Sequence, residues 1–104
     1  MSTSLFRVDK FAVPPASLPA FLERVREIHR LLGAQPGCKQ NLVLTQAEGT
    51  SEFNVVTIVE WADAAAMAQA RTTVQAHHAR EGIDPAALMR RLGIRGDLSV
   101  YAAA

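Results

Sequence analysis

"FNVVTIVEW", residues 53–61, decides the fold. As a β-strand it sends Phe53, Val55, Thr57, Val59 and Trp61 to one side and Asn54, Val56, Ile58 and Glu60 to the other, because strand side chains alternate with period two. Both sides carry bulky apolar groups. A half-exposed antiparallel strand would show a polar face, so this strand needs cover on both sides.

Working outward, "EGTSE" (48–52) is a short polar loop. Lys39–Ala47 before it reads as another strand, with Leu42 and Leu44 on one face and Val43 and Thr45 on the other. The two make an antiparallel hairpin. Upstream, Leu18, Phe21, Leu22, Val25, Ile28 and Leu32 recur at spacings of three and four, the stripe of an amphipathic helix. Ser17 is its expected N-cap, Pro19 fits its first turn, and Gly33 is its expected stop. The first strand spans about Leu5–Val13 and ends at Pro14-Pro15.

Downstream, Asp63 caps a helix through "AAAMAQA". Thr72-Thr73 weakens it, and "VQAHHAREG" reads as its continuation or a separate turn. "DPAALMRRLG" (84–93) is a short helix with Asp84 as N-cap, Pro85 at the first position and Gly93 after the end. "DLSVYA" (97–102) is the fourth strand. The order β-α-β-β-α-(α)-β is the split βαβ, or ferredoxin-like, α+β order with a four-stranded antiparallel sheet. In that fold helices cover one sheet face only. The third strand has apolar residues on both sides, the second nearly so, and the first carries Phe6 and Val8 opposite Leu5, Phe11 and Val13. Soluble monomers rarely tolerate an apolar patch of more than a few hundred Å². A second copy, packed sheet against sheet, is the expected cover.

The 104 residues amount to one domain, 1–104, able to bury roughly 65% of its unfolded surface. The 49% hydrophobic and 20% charged fractions are ordinary, and the net charge is +1 with nine Arg and two Lys dispersed among ten acidic residues. No basic block marks a nucleic-acid surface, and no apolar run reaches bilayer length. Cys38 stands alone, excluding an internal disulfide. "MSTSLFRVDK" shows no secretory pattern, so a cytoplasmic protein is expected.

Three stretches carry a resemblance over nearly the whole chain: "QPGC" (35–38), "VVTIVEWAD" (55–63), and an alanine-rich helix leading to "HH" (77–78). The chain resembles the antibiotic biosynthesis monooxygenase-like domains of the dimeric α+β barrel superfamily. The resemblance implies a homodimer and a pocket between helices and sheet. It implies a cofactor-independent monooxygenase, or related enzyme, acting on a small aromatic or quinone-like metabolite. Such an enzyme needs a dry pocket, a hydrogen-bond donor for a developing oxyanion, and a base. The alternative is a non-catalytic dimeric ligand-binding or stress-associated module. Haem-degrading relatives form a third class, but the chain has no asparagine between Leu5 and Val13 and no tryptophan in its second helix, both of which those relatives use. No cofactor and no metal are expected, since no H-E-x-x-H or Cys/His cluster is present.

The candidate site residues follow. Trp61 lies where the family's tryptophan lies, as a pocket wall and N–H donor or as a core anchor. Asn54, on a strand among apolar neighbours, needs partners for its amide, and a substrate is one. His77 and His78 point about 100° apart on a helix, so one of them is the base candidate. Arg71 would reach an anionic group, and Tyr101 would touch a ligand or the dimer seam. His29, inside the apolar stripe, reads as a satisfied core histidine rather than a catalytic one, and Cys38 as structural.

Overall fold

The structure, a computed structural model, describes residues 3–104. Residues 1 and 2 of the N-terminal stretch read for a leader, and of the 1–104 domain, lie outside the described residues. The strands are β1 (Leu5–Ala12), β2 (Cys38–Thr45), β3 (Val55–Trp61) and β4 (Arg95–Ala102), and the helices α1 (Leu18–Gly33), α2 (Ala64–Glu81) and α3 (Pro85–Leu92). All pairings are antiparallel, in the sheet order β2-β3-β1-β4. This is the expected ferredoxin-like α+β architecture. No described helix is long and apolar enough to cross a membrane.

The register settles which residues share a face. Val55, Thr57, Val59 and Trp61 of β3 stand opposite Phe11, Asp9, Arg7 and Leu5 of β1. These β3 side chains are all buried beneath the helices. The outer face carries Phe6, Val8, Leu42, Val56 and Ile58, all half-buried in the single chain, with Leu44 at 44% and Tyr101 at 50% exposure. The helices cover the start of β4, where Met89 of α3 lies against Gly96, but not the rest of it. Leu98 and Val100, paired with Asp9 and Arg7 on the inner face, are 50% and 43% exposed.

The core is divided. Phe11, Val13, Phe21, Val25, Val55 and Ile94 form one cluster, anchored by Phe11 and Phe21 edge to face with ring centroids 5.0 Å apart. Val59, Trp61 and Ala70 form a second. On β3 the buried Thr57 separates them.

Capping explains most helix boundaries. Asp63 accepts from the Ala66 N–H at 2.8 Å, and Asp84 accepts from the Ala86 and Ala87 N–H groups. Gly93 closes α3 in the left-handed conformation. Two expectations are corrected. Ser17 is not a side-chain cap: it lies in a 3-10 turn over Pro15–Ser17, and its hydroxyl donates to the Leu92 carbonyl at 2.8 Å, tying the start of α1 to the end of α3. Gly33 remains helical, and the left-handed turn falls at Gly37 (φ +85°), where a Cβ would lie 2.5 Å from that of Ala66. Of the two readings of "VQAHHAREG", continuation holds: α2 runs unbroken through Thr72 and Thr73. Their hydroxyls donate back to the Ala68 and Gln69 carbonyls, satisfying themselves inside a continuous helix.

Asn54 precedes β3 and locks the end of β1. Its Oδ1 accepts from the Val13 N–H at 2.8 Å and its Nδ2 donates to the Val13 carbonyl at 2.9 Å. Pro14 follows immediately, so no ladder can serve these groups further on. Asn54→Ala is expected to cost about 2 kcal/mol, the penalty for stranding buried backbone groups. Urea unfolding of the variant against wild type measures it.

Candidate functional site

The gap between the two core clusters is a cavity of about 430 Å³ between sheet and helices, the size range of small-molecule sites. Its apolar wall includes Phe11, Val25, Ile28, Val59, Trp61 and Met67. Trp61 is 2% exposed, and its indole N–H makes no hydrogen bond among the described residues. Across the floor runs a polar strip where an apolar pattern would be expected. Asp9 and Arg7 of β1 face inward beside Thr57, and Arg7 Nε donates to Asp9 Oδ1 at 2.7 Å. The side chains are 31% (Arg7) and 18% (Asp9) exposed. Charges on the covered face of a sheet are costly unless paired, and here each is paired with the other.

Arg24 of α1 organises the helical side. Its Nη1 donates to Glu27 Oε2 and Glu81 Oε1, each at 3.0 Å, and its Nη2 lies 2.8 Å from His78 Nδ1. Guanidinium nitrogens only donate, so His78 Nδ1 must accept and the ring proton must sit on Nε2. Burial, then the Arg24 charge, then His77 lower the His78 pKa below its ordinary value. His78 is thereby a neutral N–H donor on the cavity wall. The Glu81 carboxyl is lowered in turn, chiefly by the Arg24 hydrogen bond.

His29 lines the same cavity from α1. Its Nδ1 pairs with Asn41 Oδ1, and Asn41 Nδ2 donates back to the His29 carbonyl. Asn41 belongs to the helix-facing side of β2, opposite Val59. A Cβ on Gly33 would lie 3.1 Å from Asn41 Nδ2, so the glycine makes room for this amide. Burial lowers the His29 pKa, against smaller opposing effects of Asn41 and the Asp9 charge.

The model of the antibiotic biosynthesis monooxygenase family matches residues 5–82. The chain belongs to that family. Among curated proteins no sequence matches. Solved structures match throughout. SnoaB, a cofactor-independent oxygenase from Streptomyces nogalater, aligns in a variant form at 22% identity over 98% of this chain and 94% of its own, with a TM-score of 0.66. A Shewanella loihica PV-4 protein aligns at 19% identity over 100% and 97%, with a TM-score of 0.73. A protein of unknown function from Bacteroides thetaiotaomicron VPI-5482 reaches a TM-score of 0.76 at 14% identity, over 99% and 100%. At these identities the shared property is the fold.

In this family member the structure gathers Trp61, His78 and Arg71 around the cavity. Asn54 is elsewhere, with its amide engaged by Val13. Tyr101 pairs with Phe6 on the outer face, away from the cavity. His77 is not among the lining residues. Its Nε2 lies 2.7 Å from Glu81 Oε1 and 3.6 Å from Glu27 Oε1, but without hydrogen-bond alignment. Glu27, His77 and Glu81 place ligand atoms within 4.8 Å of one another, yet the Arg24 guanidinium already bonds both carboxylates and is the cation of that cluster. The sequence reading passed over Arg7, Asp9, Arg24, Asn41 and Thr57. Strand alternation held a usable signal for two of them, since Arg7 and Asp9 fall on the same side as Leu5 and Phe11.

The lowered His29 pKa has a consequence for stability. The unfolded chain takes up this proton near 6.5, and the folded protein only at lower pH. Its contribution is therefore full above 6.5 and is lost as pH falls through that value toward the folded pKa. Urea unfolding of wild type is expected to show stability dropping between pH 7.5 and 5.5. His29→Gln, which cannot titrate, is expected to show a shallower drop, the remainder belonging to His78.

Proposed function

We propose that this family member is a cofactor-independent monooxygenase acting on a small aromatic or quinone-like metabolite, working as a homodimer joined through its outer sheet face. The cavity supports this reading above all. It is mostly apolar, it is walled by Trp61, and it holds two neutral imidazoles and unspent N–H donors. The family membership and the oxygenase activity named for SnoaB point the same way.

The chemistry asks little that these residues lack. An electron-rich aromatic with an activated C–H loses a proton, and the carbanion or phenolate passes one electron to O₂. The two radicals combine to a hydroperoxide. Loss of water then leaves a carbonyl, so that R₂CH₂ and O₂ give R₂C=O and H₂O. The substrate supplies both electron pairs. Anion formation is the step a protein accelerates by placing donors where charge develops. The Trp61 indole N–H and the His78 Nε2–H are the donors of this site. Arg71, at the exposed rim on α2, would attract an anionic substituent. Asn54, Tyr101 and His77 have no part in it.

Oxygen uptake with a panel of polycyclic phenols, hydroquinones and hydroxyanthrones tests the reading. At least one compound is expected to be turned over. Trp61→Phe, which keeps the wall and removes the N–H, is expected to lower kcat by about tenfold or more. Uptake by no compound, with tight binding retained, would replace the enzyme by a dimeric ligand-binding module.

A further inference from the structure

We infer that His29, held in one tautomer by Asn41, is the base that takes the substrate's proton in the cavity. This rests on the oxygenase reading above for the identity of the substrate, but its decisive step precedes any reaction with oxygen.

The tautomer follows from the amide. Asn41 Nδ2 donates to the His29 main-chain carbonyl, which can only accept, so the amide cannot be flipped. Its Oδ1 therefore faces His29 Nδ1 and can only accept from it. The proton must lie on Nδ1, leaving Nε2 with a free lone pair. Among the described residues Nε2 has no hydrogen-bond partner, and it is not a buried orphan. His29 lines both the cavity and a shallow notch beside it. An unpartnered lone pair beside an apolar, ligand-sized space is an acceptor awaiting a proton. His78 is fixed the opposite way by Arg24, with its proton on Nε2. One imidazole accepts and the other donates. A phenol or an activated C–H set between them would lose its proton to His29 and have the resulting oxyanion held by His78 and Trp61.

The charges around His29 keep it able to work near neutrality. From its own helix, Arg24 lines the cavity and Arg26 and Arg30 border the notch. From β1 come Arg7 and Asp9, and from α2 Arg71 and His78. β2 presents only the uncharged Asn41. Burial favours neutral imidazole before substrate arrives, and the Asn41 hydrogen bond and Asp9 favour imidazolium once the proton has moved. The proton gained by Nε2 leaves His29 as imidazolium, and the hydroperoxide's departing hydroxide can take it back as water, closing the balance.

The test uses 1,8-dihydroxyanthrone, whose anion absorbs at longer wavelength than the neutral form, bound to the intact protein without oxygen. Wild type is expected to show the anion band at a pH where the free compound is neutral, and His29→Gln to lose it while still binding the probe. Asn41→Asp keeps the Nδ1 contact but adds a charge that raises the His29 pKa, so the acid limb of anion formation should move to higher pH. Nitrogen NMR of the ligand-free protein should show His29 protonated on Nδ1 with Nε2 bare. An anion band that persists in His29→Gln, no band in wild type, or an Nε2–H tautomer would overturn the assignment. If the band depends on His29 but admitting oxygen causes no uptake, His29 is the base and the oxygenase reading is what fails.

Discussion

A sheet that is apolar on both sides can be kept from water only by covering both sides, and this chain has helices for one. Everything else follows from how that constraint is met. On the inner face α1, α2 and α3 lie over β3 and β1, burying Val55, Val59 and Trp61 almost completely. On the outer face Phe6, Val8, Leu42, Leu44, Val56, Ile58 and Tyr101 form a band with no element of the described residues above it. At about 25 cal/mol per Å², shielding such a band is worth many kcal/mol before association costs are subtracted. A second copy would present the same band and is the cover proposed for it.

The inner face is where stability yields to chemistry. A closed core would place apolar side chains at positions 7, 9 and 57. Here Arg7, Asp9 and Thr57 separate two apolar clusters, and the space between them is a cavity rather than a packed layer. Arg24 then sets the state of the cavity's helical wall, bonding Glu27, Glu81 and His78 together. The site is thus built from opposite sheet and helix surfaces, each fixed by its own hydrogen bonds. Such preorganisation lets donors act on a developing charge without first having to rearrange.

The fold was legible because its signals are local and redundant. Period-two alternation over 53–61, the α1 stripe, and the Asp63, Asp84 and Gly93 caps all act within a few residues of themselves. The site was less legible because its members meet only through tertiary contact. Asn54 looked like a free buried amide, but its partner is a backbone 41 residues away. His29 looked like a satisfied core histidine because it falls in the apolar stripe. Nδ1 is indeed satisfied by Asn41, and nothing in the sequence shows that this residue lines a cavity. Gly33 looked like a helix stop, yet its lack of a side chain serves the amide of Asn41 on the next strand. Only Arg7 and Asp9 carried an overlooked local signal, two charges on the covered side of a strand.

Sedimentation equilibrium of the purified protein at micromolar concentration bears most directly on the account, because the proposed dimer is what would shelter the outer face. A particle of twice the 11.3 kDa chain mass is the predicted result. A stable, soluble 11.3 kDa monomer with that face exposed to water would contradict it.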